Sequence, residues 1–217
     1  MTTSRSRFGL GLALALIAQL ALVGGAARPA AAAPTATIVL AGGCFWGMEA
    51  VFDSLAGVKQ AMPGYSGGSA ATAHYDMVST GTTGHAESVR ITYDPARISL
   101  DQILNVYFTV AHDPTELDRQ GPDEGSQYRS EIFYTTSAQR SQAAAYIARL
   151  ERQRVYPSPI VTKLAALGGF YPAEAYHQQY AIHNMTNPYI VVNDLPKLRA
   201  LRQKYPTLVE ASAPLGT

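Results

Sequence analysis

The chain has 217 residues, 47% of them hydrophobic and 15% charged, with a formal net charge of +1. That balance is too apolar for a disordered chain and too polar for a multispanning membrane protein, and no basic excess marks nucleic acid as a partner. The single cysteine, Cys44, excludes an intramolecular disulfide framework, a zinc finger and a CxxC redox pair.

Arg5 and Arg7 open a short positive region, and an apolar run from Phe8 to Val23 follows in which Gln19 is the only strongly polar side chain. Small residues then lead to Ala30-Ala31-Ala32-Ala33. A positive head, an apolar stretch and a small-residue exit describe a secretory signal peptide over 1–33. The cleavage point is approximate, because Pro34 disfavours a cut directly before it. An uncleaved membrane anchor is the alternative, since the apolar run almost continues to Ala27. Ser6 separates the two arginines and argues against twin-arginine export. The expectation is an exported protein, periplasmic or secreted, with one functional domain over 34–206 and a frayed tail over 207–217. An unpaired thiol in an oxidising compartment is either buried and inert or kept for its reactivity.

Thr37 to Leu40 reads as a short buried strand stopped by Gly42-Gly43, and Cys44 to Leu55 as a helix with Met48, Val51, Phe52 and Leu55 at helical spacing. Val58 to Tyr65 reads as a strand, and the Gly-, Ser- and Thr-rich stretch 66–84 as a long loop. From His85 to Tyr93 the pattern alternates, placing Glu87, Val89, Ile91 and Tyr93 on one face. Ser99 with Gln102 forms a capping box for a helix presenting Leu100, Ile103, Leu104, Tyr107 and Phe108. Pro114, Gly121, Pro122 and Gly125 break 112–126 into a second loop, and Tyr128 to Thr135 alternates again as a strand. An Ala-rich helix from Ser137 to about Arg154, a short strand near Val161 and helical turns toward Tyr205 complete the pass. Interleaved strands and helices predict an α/β (α+β) two-layer sandwich, a mixed sheet with helices, and the segment order suits a ferredoxin-like core with long loops.

Cys44 stands between two glycines and the start of a helix, where unpaired backbone N–H groups and the positive dipole end favour a thiolate. This placement predicts a thiol pKa below the free value, against the alternative of a small buried hydrophobe. Phe45 and Trp46, the latter the only tryptophan, cannot both face the core, so one or both can wall an apolar pocket beside the sulfur. Glu87 shares its strand face with Val89 and Ile91, and burial there would keep a proton available near neutrality. The alternative is a solvated Glu87 at a fraying strand end. Tyr65 and Tyr128 stand at loop–strand junctions where a phenol can donate into a pocket, although most of the 13 tyrosines must be packing or surface residues. The five histidines show no tight metal-ligand spacing, and no phosphate-binding glycine motif is present.

Gly42-Gly43-Cys44-Phe45-Trp46-Gly47 resembles the signature of the peptide methionine sulfoxide reductase A family. Gly64-Tyr65-Ser66-Gly67-Gly68, Gly84-His85-Ala86-Glu87, His112-Asp113-Pro114-Thr115 and Arg119-Gln120-Gly121-Pro122-Asp123 extend the resemblance. So do Gln127-Tyr128-Arg129-Ser130, Phe170-Tyr171-Pro172-Ala173-Glu174 and Tyr176-His177-Gln178-Gln179-Tyr180, in order, from about residue 36 to 205. The resemblance implies reduction of methionine S-sulfoxide, free or in proteins, with Cys44 as nucleophile and Glu87 as proton donor. It implies Tyr65 and Tyr128 at the sulfoxide oxygen, Phe45 and Trp46 around the methyl group, and Asp123 as a polar wall. The implied outcome is methionine and a sulfenic acid on Cys44. No metal or organic cofactor is implied, and a monomer is expected. Many relatives carry resolving cysteines and this chain has none, so an external thiol, such as a thioredoxin-like or glutaredoxin-like protein, would regenerate Cys44. Asp118 and Ser126 stand where Asn and Thr are more usual. Two other functions compete: a cysteine hydrolase, which needs a histidine against the thiol, and a binding module with an inert Cys44.

Overall fold

The structure is a computed structural model that describes residues 1–3 and 34–213, so the expected signal segment lies, but for its first three residues, outside the described residues. Strand β1 (Ala36–Ala41) leads into helix α1 (Phe45–Asp53), and β2 (Val58–Ser66) follows. A short helix α2 (Tyr75–Val78) interrupts the expected long loop before β3 (Ala86–Tyr93). Val78 drops into the core and anchors that loop. Helix α3 (Leu100–Val106) continues as a π-turn over Tyr107–Ala111. The capping box at its start is complete, the Ser99 side chain accepting from the Gln102 N–H and Gln102 accepting from the Ser99 N–H.

A two-residue hairpin, β4 (Arg119–Gln120) and β5 (Asp123–Glu124), orders the second loop. Strand β6 (Glu131–Tyr134), helix α4 (Ser137–Arg152), β7 (Lys163–Ala166) and β8 (Phe170–Pro172) follow, then α5 (Tyr180–His183) and α6 (Leu195–Lys204). Among the described residues, six strands form one sheet in the order β7-β6-β1-β3-β2-β8. Its middle four, with α1 and α3 as crossovers, have the βαββαβ order of a ferredoxin-like core. Only β6 and β7 pair in parallel, joined by α4, as such a pairing requires a crossover. Residues near both sheet edges, Ala165 and Tyr171 among them, line one groove, so the sheet curls.

The helices cover one face. Ile38, Leu40, Val89 and Ile91 from the strands meet Val51, Phe52, Ile103 and Leu104 from α1 and α3, all fully buried. The other face carries a smaller cluster of Val39, Ala41, Ala86 and Phe133.

Three expectations need correction. Tyr128 is not in a strand: Gly125 at φ +129° turns the chain, Tyr128 N–H donates to the Gly125 carbonyl, and pairing starts only at Glu131. The strand expected near Val161 begins at Lys163, because the Val161 N–H is taken by the Pro114 carbonyl. The tail does not fray directly after Pro206: Val209 bridges to Leu55, and Glu210 N–H donates to the Ser54 carbonyl.

Candidate active site

The site grows from the turn between β1 and α1. Gly43 adopts φ +93°, and a Cβ there would stand 2.6 Å from Gln120 Cγ. A Cβ on Gly42 would stand 2.8 Å from the His112 ring. The turn therefore needs glycine for both conformation and space. Gly43 N–H donates to the Tyr128 carbonyl at 3.1 Å, which ties the second loop to the turn. Cys44 caps α1 and is 8% exposed, enough for access but not for solvation.

The open end of α1 divides its free N–H groups between two side chains. Phe45 N–H donates to Glu87 Oε2 at 3.0 Å, and the Trp46 N–H points to the Cys44 sulfur. The thiol pKa nevertheless lies well above its ordinary value. Burial raises it first, the charges of Glu87 and Asp194 raise it further, and the Trp46 N–H lowers it only in part. The expected depression by the helix terminus is thus overridden by desolvation and nearby carboxylates.

Glu87 lies on β3 opposite Tyr65 of β2, on the face shared with Val89 and Ile91, and is 3% exposed. Burial pushes its carboxyl up to about 8; the Phe45 N–H opposes this and Asp123 adds to it. A carboxyl with that value holds its proton at neutral pH.

The two expected tyrosines separate. Tyr65 is fully buried and its hydroxyl donates to Glu174 Oε2 at 2.8 Å, so it is committed away from the thiol. Glu174 Oε1 accepts from the Tyr75 N–H at 2.9 Å, so Tyr65 acts through Glu174 on the backbone of α2. Tyr75, unlike Tyr65, feels the charges of both Glu87 and Cys44. Its phenol is raised first by burial, then by Glu87, and also feels Cys44. Tyr128 is raised first by burial, then by Glu87, Asp123, Cys44 and Tyr75, and so stands among those four groups.

The aromatic pair also divides. Phe45 is 1% exposed and packs against His177, with ring centroids 4.9 Å apart. Trp46 is half-buried. Its Nε1–H donates to His177 Nδ1 at 3.0 Å, and its ring stacks on Tyr180 at 3.9 Å and 18° and meets the edge of Tyr189. Tyr189 in turn donates to Asp123 Oδ2 at 2.5 Å. Asp194 is fully buried beside Gly47, where a Cβ would stand 2.0 Å from its Oδ1, and its one charged partner is Lys197 at 3.3 Å.

Sequence reasoning missed Tyr75, Glu174, His177, Tyr180, Tyr189 and Asp194 as site residues. Glu174, His177 and Tyr180 lie in segments that carried the family resemblance, which was the signal available for them. None of the buried histidines hydrogen-bonds to Cys44: His177 accepts from Trp46, His112 engages the Tyr107 carbonyl and Ser130, and His85 engages Gly68 and Ser69. A cysteine hydrolase would need one there. Among the described residues, no three His, Cys, Asp or Glu side chains are grouped as a metal site requires.

A family model for peptide methionine sulfoxide reductase matches residues 36–208. The chain is 52% identical over 178 residues to peptide methionine sulfoxide reductase MsrA 2 of Mesorhizobium japonicum, covering 82% of this chain and 91% of that one. It is 50% identical to peptide methionine sulfoxide reductase MsrA 2 of a Synechocystis strain, covering 82% and 84%. Among solved structures, Mxr1 from Saccharomyces cerevisiae in reduced form superposes with a TM-score of 0.64 at 31% identity, covering 71% of this chain and 86% of that one. Methionine sulfoxide reductase A of Corynebacterium diphtheriae gives 0.59 at 34% identity, covering 71% and 76%. With this agreement of sequence, fold and cysteine-centred site, the chain belongs to the peptide methionine sulfoxide reductases, oxidoreductases that return methionine sulfoxide to methionine.

Proposed function

We propose that Cys44 is the nucleophile of this reduction and Glu87 its proton donor. The observation that carries the reading is the Phe45 N–H, which fixes the Glu87 carboxyl beside the buried thiol. The Cys44 sulfur bonds to the sulfoxide sulfur while Glu87 protonates the sulfoxide oxygen, and the thiol proton passes to Glu87 in return. The hydroxyl then passes to the Cys44 sulfur: the substrate S–O bond and the new S–S bond break as a Cys44 S–O bond forms. The substrate sulfur gains two electrons and leaves as a thioether; Cys44 loses two and becomes a sulfenic acid. Tyr75 and Tyr128 donate to the oxygen as charge develops on it. Trp46, backed by Tyr180, walls the methyl group, and Asp123 with Tyr189 forms the polar side.

This arrangement assigns a direction to oxygen and to methyl, so one epimer alone aims its sulfur at Cys44 with its chain toward solvent. We assign the S form. With one cysteine in the sequence, an external thiol forms a mixed disulfide with Cys44, and a second thiol releases it. A thioredoxin-like or glutaredoxin-like protein supplies both thiols. We further propose that the segment over 1–33 exports the chain, which N-terminal sequencing of protein from fractionated cells would check. The reaction itself is tested by turnover of the two separated epimers with a small dithiol. The native enzyme should consume the S epimer alone, and Cys44→Ser should consume neither. Equal rates for both epimers, or turnover by Cys44→Ser, would refute the assignment.

A further inference from the structure

One buried carboxyl takes no part in the reaction as derived. Glu49 lies on α1, three residues after Trp46, and such residues are neighbours on one helix face. It is 2% exposed, yet its partner is not a cation. Both its carboxyl oxygens lie 2.8 Å from the backbone nitrogen of Gln179. Burying a carboxyl is costly, and a bond to one backbone N–H offsets part of that cost.

Gln179 is an unusual place to spend such a group. It adopts φ +55° and ψ 27°, the left-handed region, which is unfavourable for a non-glycine residue. It is the residue immediately before α5, whose first member, Tyr180, stacks on Trp46. The Gln178 side chain fastens the same turn from the other side, donating to the carbonyls of Ala173 and Pro63. The turn that presents Tyr180 is therefore strained and held in place by side chains.

We infer that Glu49 is a positioning residue for the sulfoxide pocket: it holds Gln179 left-handed so that Tyr180 backs Trp46. Trp46 and Glu49 on one face of α1 grip the 177–180 segment at two points, the indole through His177 and Tyr180, the carboxyl through Gln179. The inference rests on the reading of Trp46 as the methyl wall.

Trp46 is the only tryptophan, so intrinsic emission reports this wall alone, without substrate. Glu49→Leu keeps bulk and removes the acceptor. It should shift Trp46 emission and raise the methionine sulfoxide concentration that half-saturates the single-turnover rate by about three- to tenfold, the worth of one aromatic contact. The saturating rate should change little, because the acid and nucleophile are untouched. Glu49→Gln retains a carbonyl acceptor and should behave like the native protein. Tyr180→Ala should reproduce the Glu49→Leu effects. If Glu49→Leu does not fold, hydrogen exchange of the Gln179 amide in the native protein decides: protection supports the brace, and exchange at the rate of an open loop overturns it. A folded Glu49→Leu with native emission and native half-saturation would also overturn it. A shifted emission with unchanged half-saturation would instead keep the brace and reject Trp46 as the methyl wall.

Discussion

At the scale of single residues, the account turns on Glu87. Glu87→Gln still accepts from the Phe45 N–H but has no proton to give, so the single-turnover rate should fall by about 10²–10⁴. In the native enzyme the same step should slow as pH rises through about 8, where the carboxyl loses its proton, and the variant should lack that limb. Rapid-mixing measurements across pH check both. The phenols give a second prediction. Tyr75→Phe and Tyr128→Phe should each cost less than their combination, because either can donate to the oxygen. Tyr65→Phe should leave the chemistry largely intact and act through Glu174. A Tyr65→Phe loss as large as that of the double variant would return Tyr65 to the reacting atoms. The placement of Cys44 at the start of α1 and of Glu87 on the covered face of β3 was legible in the sequence, one from its flanking glycines, the other from strand alternation. The choice between Tyr65 and Tyr75 was not. It depends on a carboxylate 109 residues further along the chain, which no local pattern reveals.

At the scale of elements, α1 does most of the positioning, and Gly47 shows how tightly. Gly47→Ala would place a Cβ 2.0 Å from Oδ1 of the fully buried Asp194, the same oxygen that Lys197 holds. Overpacking of this kind costs about 1–3 kcal/mol, so the urea midpoint should fall; an unchanged midpoint would contradict the packing described. Long elements with strong periodicity were readable in advance: α1, β3, and α3 with its capping box. Elements set by partners were not. The strand expected from Tyr128 shortens because Gly125 turns the chain, and β8 has only three residues, with no periodicity of its own. The short α2 is fixed by Val78 in the core and by Glu174, neither visible in a Gly- and Ser-rich stretch.

At the scale of the whole molecule, the ferredoxin-like core supplies the thiol and the acid, while the two long loops and the 174–194 segment close the site around them. Element order revealed that core, but the wrapping of the C-terminal third was beyond sequence patterns because the contacts that bring it to the site, Tyr65 to Glu174 and Trp46 to His177 among them, are long-range. Two carboxyls buried in this assembly, Glu49 and Glu87, each have a pKa raised by burial from 4.5 to about 8. Between those values the folded protein holds protons that the unfolded chain has released. Stability should therefore decline as pH rises across that window and level off above it, as chemical unfolding at several pH values would read out. Glu87→Gln and Glu49→Gln should each flatten part of the decline. The chain's single cysteine gives the most direct test of the central claim, that Cys44 takes the oxygen. Reduced enzyme is mixed with excess methionine S-sulfoxide and no thiol, and methionine formed and intact protein mass are measured together. The account predicts one methionine per enzyme and a mass gain of one oxygen atom, trapped by a dimedone-type reagent. Stoichiometric methionine with an unchanged protein mass would contradict it.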